Sequence, residues 1–243
     1  MITLYTYKPA FGEPAASPFC TKAIWLLNMS GQEWQRKDLA DPRKMPNQKL
    51  PAIKADGRLI HDSDNIRCHL EGLGADFDAG LSDMEKATSR AFIRMAEEHM
   101  YFHIVADRWC NDAVWPAIRE TYFDSIPKIL RRLITDKLRK SVIQGMQFQG
   151  LGRWSEDDRL ARLEPDLQAI STRLWLGAYL FGDRPTAADA SVAAMLANMR
   201  ATPGKTPLKT RVAEDEVLCR YIDRVSTALG KPWITDGSAS LCA

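Results

Sequence analysis

The 243-residue chain is predicted to hold two unequal modules: a small α/β module over about residues 1–74, and an all-helical module over about 82–243. Three observations predict it. Strand-type runs are confined to the first module, in the order β-α-β, irregular link, β-hairpin, helix. Beyond Gly74 the apolar residues recur only at helical spacing. Between them, "ADFDAGLSD" is polar and carries a glycine, so residues 75–81 read as a linker. The length suits one large domain or two unequal ones.

"ITLYTY" is a short β-rich run, and "KPAFGEPAA" after it, with two prolines and a glycine, is a loop. "SPFCTKAIWLLNMSG" reads as a helix with Ser17 at the N-cap, Pro18 at the first helical position and Gly31 near the stop. Cys20, Ala23, Ile24 and Leu27 share one face of it. "QEWQRKDL" is the second strand, and "LPAIKADGRLIHD" is strand, turn, strand, with Asp56-Gly57 as the hairpin turn. "SDNIRCHLEGLG" is a helix capped by Ser63. Helices are then expected over about 82–112, 115–149 (broken near Pro116 and Pro127), 155–181, 186–200 and 213–229, with "TPGKTPLKT" as a loop. Thr186 and Asp189 have the spacing of a capping box.

Composition narrows the function classes. Hydrophobic residues at 45% and charged residues at 26% are globular values and exclude disorder. No apolar run approaches the roughly 20 residues a membrane span needs. A net charge of +2 provides no large field for nucleic acid. The five cysteines contain no close-set pair, and "MITLYTY" lacks the charged leader and apolar core of a secretory signal, so a cytoplasmic protein with reduced thiols is expected. "PKILRRLITDKLRK", with six bases against one acid, reads as a solvated amphipathic helix.

These elements resemble the cytosolic glutathione transferase superfamily over nearly the whole chain. "SPFC" is similar to the redox-motif position of thioredoxin-like folds, and "KLPAI" to the strand that carries a cis-proline. "DSDNI" resembles the family's (E/Q)-S-x-A-I element, with Asp62 where Glu or Gln is usual, and "RPTAADASVAAML" its S/T-x-x-D helix start. "SPFCTKAIWLLNMSG" with "RMAEEHMYFHIVADRW" looks most like the failed-axon-connections and metaxin-like branch, some members of which are of doubtful enzymatic activity. The resemblance implies a thioredoxin-like N-terminal domain (βαβ-ββα) joined to an all-α C-terminal domain. It implies glutathione as substrate, an apolar electrophile as its partner, no metal, and a homodimer. A non-catalytic binding or scaffold protein of the same fold is the alternative, and thiol exchange through Cys20 a third reading.

Under this resemblance Ser17 is the catalytic residue. A free thiol near pKa 8.5 must fall by roughly two units, about 2.7 kcal/mol, to ionise at neutral pH. A hydroxyl hydrogen bond to the thiolate supplies about 1.5–3 kcal/mol, and a helix N-terminus about 0.3–1 kcal/mol more. The other reading of Ser17 is a plain helix cap. Cys20, in the second motif position and on the apolar face, reads as packing, and Tyr7 is the tyrosine-type alternative, separated from the helix by the nine-residue loop from Lys8 to Ala16. The resemblance places the glutathione cysteinyl backbone along Leu50 and Pro51, with Lys49 near the glycine carboxylate, and the γ-glutamyl end on Asp62 and Ser63. Tyr7, Phe11, Tyr101, Phe102, Trp109 and Trp115 are expected to line the second-substrate pocket. His99 and His103, at i and i+4, have a spacing that can chelate a metal, but Cys110 is the only further ligand read on that stripe and a core or cleft role is expected.

Overall fold

The computed structural model describes residues 1–230; the last thirteen residues assigned to the helical module, 231–243, lie outside the described residues. Strand β1 (Ile2–Thr6) pairs in parallel with β2 (Trp34–Asp38), and α1 (Pro18–Met29) makes the crossover that a parallel pair requires. β3 (Ala52–Ala55) runs antiparallel to β1, with Tyr5 opposite Ala52, and β4 (Arg58–His61) completes the order β2-β1-β3-β4. The Asp56-Gly57 turn has both φ angles positive, 49° and 78°, the conformation a two-residue hairpin of this twist demands. Helix α2 (Ser63–Gly72) closes the module.

The helical part begins with α3 (Asp83–Met95), whose Ser82 and Glu85 form a reciprocal capping box. Helical backbone continues through a wide π-turn (Ala96–Met100), α4 (Tyr101–Val105) and a second π-turn (Ala106–Cys110). There follow α5 (Trp115–Tyr122), α6 (Lys128–Gln149), α7 (Glu156–Leu174), α8 (Ala187–Arg200), α9 (Pro207–Ala213) and α10 (Glu216–Leu229). In α8 every residue from Ala187 to Met199 is buried. Its alanines let α1 and α10 approach closely, and one continuous core joins Leu4, Ile24 and Ile53 to Ile93, Met195 and Ile222.

Several sequence expectations change here. The apolar face of α1 is only part of what it buries: Trp25, Leu26 and even Lys22 are at most 1% exposed. α8 covers the side of α1 turned away from the sheet, and Lys22 pairs there with Glu97, whose Oε1 also accepts from the Ser191 hydroxyl. "TPGKTPLKT" is not all loop, because Thr206 caps α9 by accepting from the Lys209 N–H at 3.1 Å, with Pro207 at the first helical position. The helix expected to reach residue 181 ends at Leu174; a Cβ on Gly177 would stand 2.8 Å from the Gly182 carbonyl, so the chain turns back on itself there. The basic stretch folds as α6 but with its apolar side outward: Ile129 is 94% and Leu133 74% exposed. Its inner side is held instead by Arg131, on the carbonyls of Asp124 and Ile126 and on Glu120, and by Arg139, on the Trp109 carbonyl.

Candidate functional site

The Leu50–Pro51 peptide bond is cis. Just before β3, the N–H and C=O of Leu50 enter no backbone hydrogen bond with a described residue, although its side chain is buried. That leaves one open peptide edge, with Lys49 exposed beside it. The Asp62 N–H donates to the Pro51 carbonyl at 3.3 Å, next to the Ala52–His61 pair of the hairpin. Leu50–Pro51 and the start of α2 are thus neighbours. There the structure corrects the cap assignment. Asp62, with φ 73°, is the N-cap and accepts from the Asp64 N–H at 2.8 Å; Ser63 is the first helical residue. The Ser63 side chain makes no hydrogen bond to a described residue although Ser63 is only 2% exposed. A hydroxyl at the positive end of a helix suits a carboxylate, and the exposed Asp62 carboxylate beside it suits an ammonium.

Ser17 sits at the N-cap of α1 in extended conformation, φ −113° and ψ 133°. Its carbonyl accepts from the N–H groups of Cys20 and Thr21, both at 3.1 Å, while its hydroxyl makes no capping bond and meets the Cys20 thiol instead. Cys20 is fully buried, and that burial pushes its thiol above the ordinary range despite opposing hydrogen bonds from Thr6, Tyr7 and Ser17. It is a packing residue under the helix end. Tyr7 is also drawn in: burial pushes its phenol well up, with Cys20, Tyr101 and Tyr122 adding to the effect. Because Tyr5 pairs with Ala52, the following Thr6 and Tyr7 run towards Pro51. The first turn of α1 and the cis-proline therefore share one end of the sheet.

The loop between β1 and α1 is built rather than slack. Ala10 and Glu13 form a bridge around the turn at Phe11-Gly12, and the buried Arg36 holds the Tyr7 and Pro14 carbonyls at 2.8 and 2.9 Å. Phe11 at its tip meets Tyr122, ring centres 6.0 Å apart, and Tyr122 continues to Trp109 at 6.3 Å. Tyr101 packs on Phe19 at 4.7 Å, and its burial moves the phenol up to about 12. The contacts form two sets, Tyr101 on Phe19 of α1 and Phe11 with Tyr122 and Trp109, the second tied to the start of α1 by the Tyr122 hydroxyl on the Ala16 carbonyl. Trp115 stacks against Trp109 at 5.1 Å but is 3% exposed, so it backs the cluster, and its Nε1 has no partner among the described residues. Phe102 meets Tyr101, ring centres 5.5 Å apart, and also packs with Ala106, Met146 and Leu151 against α6. Sequence reasoning missed Phe19, Tyr122 and Arg108. Arg108 is 2% exposed, and its Nη1 donates to the Ala16 carbonyl at 3.2 Å and to the Tyr122 oxygen at 2.6 Å. Nothing in the local pattern flags Arg108 or Tyr122, since both reach the Ala16 carbonyl from distant turns of the helical part.

His99 and His103 stand edge-to-face, and folding brings them a distant carboxylate: His99 Nδ1 lies 2.6 Å from Asp166 Oδ2 on α7. Burial, with His99, Arg159 and Arg162 adding, holds His103 neutral down to about pH 3. Among the described residues no cluster of three or more His, Cys, Asp or Glu forms that could hold a metal. The Thr186–Asp189 box is present: both the N–H and the hydroxyl of Thr186 donate to Asp189 Oδ2 at 2.8 Å, while Oδ1 accepts from the Leu180 N–H and the Tyr221 hydroxyl.

Models of the glutathione S-transferase N-terminal domain and C-terminal domain match residues 18–114 and 163–225. The isoprene-epoxide–glutathione S-transferase of Rhodococcus sp. (strain AD45) is 34% identical over 93% of this chain and 98% of its own. The chain belongs to the glutathione S-transferase family. Metaxin-1 of Mus musculus is 23% identical over 91% of this chain and 73% of its own, in keeping with the metaxin and failed-axon-connections branch. Among solved structures, the glutathione transferase GSTFuA3 of Phanerochaete chrysosporium superposes with a TM-score of 0.65 at 18% identity, covering 93% of this chain and 96% of that one. Its likeness is one of fold. The glutathione transferase fold thus has its thioredoxin-like sheet and helical part joined across α1 and α8.

Proposed function

We propose that this protein binds glutathione and transfers its thiolate to a small apolar electrophile. The observation that carries the reading is the open Leu50 peptide edge at a cis Leu50–Pro51 bond, one hydrogen bond away from the start of α2. The tripeptide's cysteinyl backbone would pair with Leu50, its γ-glutamyl carboxylate with the Ser63 hydroxyl and its ammonium with Asp62. That placement carries the sulfur towards the first turn of α1, where the Ser17 hydroxyl would exchange its contact with the Cys20 thiol for a hydrogen bond donated to the thiolate. Tyr7, Phe11, Tyr101 and Trp109 provide the apolar wall for the second substrate, with Trp115 behind it. Phe102 adjoins the wall through its contact with Tyr101. Because a relative is named for isoprene epoxide, a small epoxide is the electrophile to try first. The carbon–sulfur bond forms as the carbon–oxygen bond breaks, and the ring oxygen takes up a proton.

The metaxin and failed-axon-connections relatives favour a second reading, a binding or scaffold protein that keeps the fold without turnover. Calorimetric titration with glutathione followed by an epoxide-conjugation assay separates the two. Binding with turnover supports the transferase; binding without a lowered thiol pKa and without turnover leaves the scaffold; no binding refutes the glutathione site. A cytoplasmic homodimer accompanies the transferase reading, and light scattering tests its assembly.

A further inference from the structure

Arg108 belongs to the second π-turn, in the helical part, yet its guanidinium ends at the carbonyl that precedes Ser17. Its Nε donates to Thr202 Oγ1 at 3.2 Å, its Nη2 to the Asn198 carbonyl at 2.5 Å, and its Nη1 faces Asn198 Oδ1 at 3.1 Å, the Tyr122 oxygen and the Ala16 carbonyl. All of these partners are uncharged, and no carboxylate of a described residue pairs with it. A buried guanidinium is usually matched by an acid. This one is hydrogen-bonded at each nitrogen while its positive charge stays unneutralised. Tyr122 adds a second donor to the same acceptor, its hydroxyl lying 3.0 Å from the Ala16 carbonyl.

The consequence for Ser17 is geometric. A trans peptide is planar with its C=O and N–H opposed, so fixing the Ala16 carbonyl against Arg108 and Tyr122 points the Ser17 N–H away from them. On the other side of Ser17, its own carbonyl is held by the Cys20 and Thr21 N–H groups. With both flanking peptide planes fixed, only the side-chain torsion of Ser17 is left to adjust. The groups around this point are Tyr7 from the end of β1, Cys20 from α1, and Tyr101 and Tyr122 from the helical part. Burial pushes the ionisation of Tyr7, Cys20 and Tyr101 upward, so none of these three brings a negative charge to the site at neutral pH. Glu13 on the loop and Asp107 beside Arg108 feel its charge only at longer range.

We propose that Arg108 and Tyr122 are positioning residues for the thiolate: they fix the peptide that aims Ser17, and Arg108 adds an unpaired positive charge behind it. The helical part would then help to activate a nucleophile held by the sheet module. The proposal rests on the serine-type transferase reading above, and its experiment separates the two. The thiolate absorbance of the glutathione complex is followed against pH in the parent, Tyr122→Phe, Arg108→Lys, Arg108→Met and each of these in a Ser17→Ala background, with glutathione affinity and melting temperature measured alongside. Tyr122→Phe and Arg108→Met are expected to raise the thiol pKa by about one unit, a tenfold loss of thiolate at fixed pH below it. Arg108→Lys, which keeps the charge and loses the fork, should fall between parent and Arg108→Met. In the Ser17→Ala background the Tyr122→Phe shift should shrink, the coupling expected of residues acting through one group. Tyr122→Phe leaves the guanidinium in place and keeps the test decisive if Arg108→Met does not fold. A lowered parent pKa that Tyr122→Phe and Arg108→Lys leave unchanged, with only the melting temperature falling, overturns the proposal and spares the transferase reading. A parent whose bound thiol titrates like free glutathione refutes both.

Discussion

Replacing Ser63 by alanine tests the division of labour at the start of α2. Had Ser63 been the cap, its loss would cost about 0.5–2 kcal/mol of stability. The cap is Asp62, which accepts from the Asp64 N–H at 2.8 Å, and Ser63 makes no side-chain bond to a described residue. Ser63→Ala therefore removes no internal hydrogen bond, and the melting temperature should stay close to the parent's. A hydrogen bond from its hydroxyl to the γ-glutamyl carboxylate is of the charged kind, about 1.5–3 kcal/mol, which is roughly a 10- to 150-fold weaker glutathione Kd. Asp62→Asn is the complementary change. An amide oxygen can still cap α2, and asparagine tolerates the positive φ of 73°, but the charge facing the ammonium is gone. Affinity should again fall while stability holds. Calorimetric titration with glutathione and a thermal melt on each variant give both quantities. If Ser63→Ala lowers the melting temperature and leaves the Kd untouched, the ligand assignment is wrong and the hydroxyl has a structural role.

Ser17→Ala should raise the pKa of bound glutathione by about 1–2 units, the equivalent of one charge-assisted bond, while Cys20→Ala and Tyr7→Phe change it little; a shift in the tyrosine variant alone would reassign the activating hydroxyl to Tyr7. Asp189→Ala strands the Thr186 N–H and hydroxyl, the Leu180 N–H and the Tyr221 hydroxyl. At about 1–3 kcal/mol for a buried unpaired group, it should lose several kcal/mol in a denaturant titration and refold poorly, with unchanged glutathione affinity per folded molecule; native-like stability would show the box to be incidental. His103, held neutral to about pH 3 in the fold against about 6.5 unfolded, contributes stability that is fully present above pH 6.5. That stability is lost on acidification, by up to about 1.4 kcal/mol per pH unit. Asp107, raised by burial to about 6, acts oppositely, since its contribution is present below the usual carboxylate pKa and lost as pH rises through 6. His103→Gln should therefore resist acid better than the parent in denaturation curves between pH 6 and 4, and an unchanged pH dependence would refute the neutral assignment.

Local rules carried most of the first module. Period-two runs, Asp56-Gly57 at a turn that needs two positive φ angles, and Ser17-Pro18 at a helix start specify β1 to α2 without reference to the rest of the chain. The Thr186–Asp189 box was readable for the same reason, because its residues are three apart. The cap at α2 was misread by one position, since Asp62 and Ser63 both have capping chemistry and only the backbone angles choose between them. Tertiary packing decided the remainder. α1 carries a lysine that any sequence rule would expose, and α8 buries it against Glu97. The apolar side of α6 would be assigned to the core, yet Arg131 and Arg139 take the inner side because carbonyls and a carboxylate from the preceding turns meet them there. Asp166 joins His99 from 67 residues away, and Arg108 and Tyr122 reach the Ala16 carbonyl from 92 and 106 residues away. Hydrogen-bond patterns within a few residues are fixed by chain geometry and so are written in the sequence, whereas which distant donor arrives at a given carbonyl is settled only when the helices have packed.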